Sequence, residues 1–229
     1  GVYQILPGDT LVSLVERAGG YSKYAYTPGA IFTRLEVAKQ QKASFARSAD
    51  VLEKTMANAV TTSTKELTGD GYLPILNLIE KLRTIEPAGR QVVDTDLFKL
   101  KSDPFLNIEL MHGDKLVMPK RSTAVNVVGE VQNSSTLGYN PRYNVNDYIK
   151  QAGGFTSAAD ENRVFIVLPN GESATDSKRF FIRRDAVILP GSTIVVTISP
   201  RNLDTIGLAT IITPIIGSLA LTIASLNTL

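Results

Sequence analysis

The chain has 229 residues, of which 43% are hydrophobic and 20% charged, and its formal net charge is +2. That length holds one large domain or two small ones, and a near-neutral balance without a basic block gives little attraction for nucleic acid. With no cysteine the chain forms no disulfide, thiol nucleophile or thiolate metal site, and a single histidine, His112, leaves little room for imidazole chemistry.

The first predicted element is a short helix. Leu11, Leu14, Val15 and Ala18 recur at i, i+3, i+4 and i+7, and Asp9 or Thr10 can cap its start. Gly19-Gly20 supplies a left-handed stop that a residue with a Cβ adopts poorly. A strand, Ala30–Phe32, follows. Between Arg34 and about Arg90 the pattern changes. Phe45, Ala49, Leu52, Met56 and Val60 fall on one face of a helix over 36–60, about 37 Å long. A polar linker over 61–70 leads to a second helix. Its face is Ile75, Leu78, Ile79 and Leu82, with Pro74 in the first turn and Pro87 beyond the end. This spacing predicts a helical hairpin inserted in a loop, either a decoration covering a sheet face or a contact arm between subunits. A strand over 114–119 closes this half.

A strand-like run over 125–131 opens the second half, and the start of the chain is then repeated. Thr10 aligns with Asn144, Ala18 with Ala152 and Tyr21 with Phe155, at a constant spacing of 134 positions. One small module is therefore used twice. The second helix carries Val145, Tyr148, Ile149 and Ala152, a cap at Asn144 and a stop at Gly153-Gly154. Strands over 163–167 and 192–196 follow, with a hairpin signal at Asn170-Gly171. Each copy reads as an α+β unit, one amphipathic helix packed on a small mixed sheet. The first copy has no counterpart of the 125–131 run before Gly1, which reads as the C-terminal part of a longer protein.

After Asp204 no charged side chain occurs up to Leu229. These 25 residues would span about 37 Å as a helix, against a hydrocarbon core of about 30 Å. Thr210, Thr213, Gly217, Ser218, Thr222 and Ser225 lie on one half of the helical wheel. Leu208, Ile211, Ile215, Leu219 and Ile223 lie on the other. The tail is open to three readings: a buried core helix, an interfacial helix, or a helix that spans a membrane within an oligomeric ring.

Chemistry-bearing clusters are sparse. His112, just before a strand turn and close to Asp114, could form a catalytic pair with it but reads as a surface turn histidine. Asp94 and Asp96 lack the ligand density of a calcium loop. Arg183-Arg184-Asp185 reads as a charged loop, with contact to an anionic polymer as the minority reading. The glycine pairs follow helices, so they are stops and not phosphate cradles. No catalytic residue, cofactor site or metal site is expected.

The ordered set of motifs resembles a known family. It runs Gly1-Val2-Tyr3, Pro7-Gly8-Asp9-Thr10-Leu11, Ala18-Gly19-Gly20, Gly29-Ala30-Ile31-Phe32-Thr33-Arg34, Pro87-Ala88-Gly89-Arg90, Gly113-Asp114-Lys115-Leu116-Val117-Met118-Pro119, Val128-Gly129-Glu130-Val131 and Ala152-Gly153-Gly154. The two copies resemble SLBB (soluble ligand-binding β-grasp) domains, and the whole order is similar to the C-terminal half of outer-membrane polysaccharide export proteins. The resemblance implies an α+β fold of two tandem SLBB β-grasp domains followed by a C-terminal amphipathic membrane helix. The first domain would take residues 1–120, with its helical insertion at about 35–90, the second 121–200 and the pore helix 201–229. It implies a non-enzymatic translocon for capsular or extracellular polysaccharide in a Gram-negative outer membrane, its SLBB rings in the periplasm. The implied partners are the polysaccharide, outer-membrane lipid, further copies in a ring (eightfold in well-known members) and an inner-membrane polysaccharide co-polymerase. Thr210, Thr213, Gly217, Ser218, Thr222 and Ser225 would line the pore. The rival expectation is a periplasmic carbohydrate-binding or scaffold module without its own pore.

Overall fold

The computed structural model describes residues 1–62, 73–176 and 187–199. They form an α+β chain with two sheets. The first unit contains helix α1 (Leu11–Arg17), strand β1 (Ile31–Thr33), helices α2 (Leu35–Thr62) and α3 (Leu73–Thr84), strand β2 (Arg90–Gln91), helix α4 (Leu97–Ser102) and strand β3 (Lys115–Val117). The second contains β4 (Ala124–Gly129), β5 (Ser135–Gly138), α5 (Val145–Gln151), β6 (Ala159–Val167), β7 (Ser173–Asp176) and β8 (Thr193–Ile198).

The strand orders are β2-β1-β3 and β5-β4-β8-β6-β7. The first is the β7-β6-β8 part of the second. Phe32 pairs with Leu116 and Gln91, as Ile166 pairs with Ile194 and Ala174. The spacing of 134 positions that relates the helices therefore also relates Phe32 to Ile166, both essentially fully buried. The second sheet has an antiparallel β4–β5 pair and a parallel β4–β8 pair in addition. In the first sheet, β3 is an edge strand.

Local chemistry fixes both repeated helices in the same way. Thr10 and Asn144 are N-caps, each closed into a capping box by the side chain three residues on, Ser13 or Asp147. Asp9, the alternative cap, accepts from the Leu6 N–H and pairs with Arg17. At the other end the Gly20 N–H donates to Val15 O and the Gly19 N–H to Glu16 O. Gly154 and Gly153 repeat this on Ile149 O and Lys150 O. All four glycines have φ between 83° and 89°, which satisfies the last carbonyls through a Schellman stop.

The buried faces of the two helices differ. Val145, Tyr148, Ile149 and Ala152 are buried as the spacing predicts. In the first copy Leu11, Val12 and Val15 are buried and Ala18 is exposed. The cause is a segment present in one unit alone. Backbone N–H groups of Gln132 and Asn133 donate to Gly154 O and Ala152 O, covering the end of α5. No segment covers the end of α1 this way among the described residues.

The helical insertion sits at a hairpin tip. Arg34 N–H donates to Gly89 O, as Leu168 N–H donates to Glu172 O. Between Leu168 and Glu172 the chain needs three residues, Pro169-Asn170-Gly171, in a turn closed by the Gly171 N–H on Leu168 O, with Gly171 at φ 89°. Between Arg34 and Gly89 it carries α2 and α3. Phe45, Ala49, Leu52, Ile75, Ile79 and Leu82 form a cluster of their own, joined by Met56, Leu78 and Ile85. The pair thus packs on itself and does not close over a sheet face. Arg83 reaches from α3 to Asp50 and Glu53 of α2.

The spacing argument missed α4, a six-residue helix too short to show a period. Asp96 caps it by accepting from Phe98 and Lys99 N–H groups, and Leu100 is buried in the first core.

A candidate ligand groove between the two sheets

Period-two alternation gives each sheet two faces. Phe32 and Leu116 point to the helix side of the first sheet. Val125, Val127, Ile166, Ile194 and Val196 do so in the second, where they pack with Tyr148 and Ile149. The neighbouring positions are left on the opposite face: Ile31, Arg90 and Val117 in the first sheet, Asn126, Val128, Thr193 and Val195 in the second. These opposite faces border one groove of about 760 Å³.

Its walls combine three kinds of surface. Val117, Val128 and Val195 supply apolar contact, while Ser135, Thr136, Asn126 and Thr193 supply hydroxyl and amide groups. Arg90 and Lys120 supply cationic donors, and Tyr26 adds part of the wall. Among the described residues no aspartate or glutamate lines it. Thr136 donates to Asn126 Oδ1 at 2.8 Å, which fixes that amide on the sheet.

Arg90 is the distinctive member. One Nη2–H donates to Pro169 O at 2.6 Å, linking the first sheet to the hairpin tip of the second. Its Nε is buried and has no partner. A Cβ on residue 171 would lie 2.7 Å from that Nε, so Gly171 is needed for the close approach as well as for its positive φ. Burial lowers the pKa of the Arg90 guanidinium, because desolvation disfavours its charge. Neither Arg90 nor Lys120 forms an ion pair among the described residues. The Tyr26 hydroxyl is also buried without a partner, and burial raises its pKa.

None of the sequence-predicted candidates among the described residues lines the groove. Thr210, Thr213, Gly217, Ser218, Thr222 and Ser225 lie outside the described residues, as do Arg183-Arg184-Asp185 and most of the polar linker. Among the described residues no helix is long and apolar enough to cross a membrane. His112 is exposed in the turn before β3. Asp114 is committed to Arg34 at 2.8 Å, the Asp114 side chain 3% exposed and that of Arg34 13%. Asp94 accepts from the Asp96 N–H and pairs with Lys99, so both acids organise α4. Among the described residues no group of three or more metal-ligating side chains comes together.

Sequence reasoning missed the groove. Part of its signal was present in the outward positions of the strands, where Asn126 stands between the core residues Val125 and Val127, and Thr193 precedes the core residue Ile194. Which outward face meets which is a tertiary fact.

Residues 124–176 match the SLBB domain family. The match takes in β4, β5, α5, β6 and β7, and so one wall of the groove. The chain is also 25% identical over 170 residues to two Escherichia coli sequences, each described as polysialic acid transport protein KpsD. That alignment covers 73% of this chain and 29% of each relative, so the chain spans under a third of their length.

Proposed function

Since the chain belongs with the polysaccharide export proteins that carry an SLBB domain, we propose that it is a structural component of an envelope exporter for a capsular or extracellular polysaccharide. The observation that carries this reading is the kinship with a polysialic acid transport protein over most of the chain, through the SLBB segment. The shared register of the two sheets supports reading residues 1–120 as a second SLBB unit with a helical insertion.

In this proposal the two units stand in the periplasm as rings of identical subunits, and residues 201–229 supply the element that crosses the outer membrane. Thr210, Thr213, Gly217, Ser218, Thr222 and Ser225 line the path. Hydroxyl groups hydrate a passing glycan without strong ion pairing that would trap it. The role requires no bond-making step, so the chain is read as a non-enzyme. An inner-membrane polysaccharide co-polymerase is the proposed partner below the rings.

Deleting the coding sequence and restoring it in full tests the role by surface polysaccharide display. The proposal expects display to fall on deletion and return on complementation. Bulky apolar replacements at Thr210, Thr213, Ser218, Thr222 and Ser225 are expected to block display while the protein stays folded. Normal display in those variants would sink the lumen assignment. The second reading, a periplasmic carbohydrate-binding or scaffold module, is favoured by the groove. Mass measurement in detergent with and without residues 205–229 separates the two. A monomer in both cases, without membrane association, would favour the scaffold.

A further inference from the structure

We infer that the groove between the two sheets is a binding site for an acidic saccharide, a glycan unit carrying a carboxylate. The inference rests on the export reading for its choice of a glycan, and on the groove itself for the charge. A guanidinium has five N–H donors, and the protein uses one of those on Arg90, toward Pro169 O. The side chain is partly buried and unpaired, and a desolvated charge without a counter-ion is costly. Lys120 stands on the same groove, and among the described residues no carboxylate lines it to neutralise either cation. An incoming carboxylate supplies the missing charge, and Arg binds it in a planar, charge-assisted geometry.

The remaining walls suit a sugar ring. Pyranose rings present apolar C–H faces and hydroxyl edges. The valines at 117, 128 and 195 meet the first, and the Asn126 amide and Thr193 hydroxyl meet the second. A neutral glycan would leave Arg90 unneutralised. An acidic peptide would satisfy the charge but not the hydroxyl groups.

The test uses the whole chain of 229 residues in detergent. Its probes are a short oligogalacturonate, the same oligomer fully methyl-esterified, and a polyglutamate peptide of equal charge. The acidic oligomer is expected to shift the amide resonances of Asn126, Val128, Thr193 and Arg90, and to bind at least about tenfold more tightly than the ester or the peptide. Arg90→Gln is expected to weaken it about tenfold. Lys120→Glu, at an exposed position that leaves the Arg90–Pro169 link intact, is expected to weaken it similarly and serves where Arg90→Gln loosens the sheets. Equal binding of acid and ester, equal or tighter binding of the peptide, shifts confined to other surfaces, or no effect of Lys120→Glu overturns the inference. Loss of surface polysaccharide on deletion without binding of the oligogalacturonate removes the groove inference alone. Unchanged display on deletion removes the export reading, while binding in the groove is then judged by the titration itself.

Discussion

The two units share one register and differ in what surrounds it. In the second, β4 and β5 extend the sheet to five strands, and the segment between them closes over the end of α5. Tyr148 is completely buried there, its hydroxyl held by the backbone of Asn140, and Ala152 is sealed. In the first, three strands carry the same helix geometry with a smaller core, Ala18 lies exposed, and a three-residue turn is replaced by two helices. The comparison separates what makes the element from what covers it. Caps and glycine stops make the helix in both copies, and neighbouring strands decide how much of it is dry.

A matched pair of positions gives the strongest test. Arg34 and Asp114 occupy the places held in the second unit by Leu168 and Ser192. The turn is otherwise the same: Asp114 accepts the Met111 N–H as Ser192 accepts the Leu189 N–H. Arg34→Leu leaves Asp114 almost buried and unpaired. It is expected to cost about 2–4 kcal/mol in denaturant unfolding, below the full cost of breaking a buried pair because the guanidinium is partly wet. Adding Asp114→Ser should return most of that loss, since it installs the chemistry of the second unit. Equal instability of the single and double variants would break the equivalence.

The covered and uncovered helix ends come next. Ala152→Leu must force a side chain under the 131–133 segment and is expected to cost about 1–3 kcal/mol. Ala18→Leu should change stability by less than about 0.5 kcal/mol. Thermal unfolding of the two variants checks the contrast.

Replacing residues 35–88 by Pro-Asn-Gly would give the first unit the turn of the second. The α2–α3 cluster is self-contained, so the sheet should survive, its stability shifting by about 2 kcal/mol or less from loop closure. Loss of the β1–β2 amide resonances on excision would show that the insertion supports the sheet.

The smallest effect is at Tyr21, which stands where the second unit has Phe155. Burial first, then the charges of Asp96 and Asp94, push the Tyr21 phenol up to about 12. The fold favours the neutral phenol, so this contribution is whole below about pH 10 and is lost as the pH rises through about 12. Its hydroxyl is buried without a partner. Tyr21→Phe should therefore be neutral or stabilising by about 1 kcal/mol at neutral pH, and should remove its share of the alkaline transition. Tyrosinate absorbance against pH measures both.

Much of the fold was legible because it is written in local chemistry. Thr10 and Asn144, the two glycine pairs and the apolar spacing act within a turn or two of the backbone, so a reader of residues finds them. The repeat exposed the insertion at Arg34 for the same reason. Long-range neighbours were not legible: the exposure of Ala18, whether the helical hairpin covers a sheet face, and the meeting of two outward sheet faces.

By itself the sequence determined two helix–strand modules at one spacing, a helical interruption of the first, and a chain without thiols and with one imidazole. Only the tertiary structure decided that Arg90, from one module, would reach the Pro169 carbonyl of the other beside a groove that no acid lines among the described residues. Caps and stops depend on atoms a few residues apart. A groove depends on which outward faces two sheets turn toward each other, and no local pattern along the chain carries that orientation.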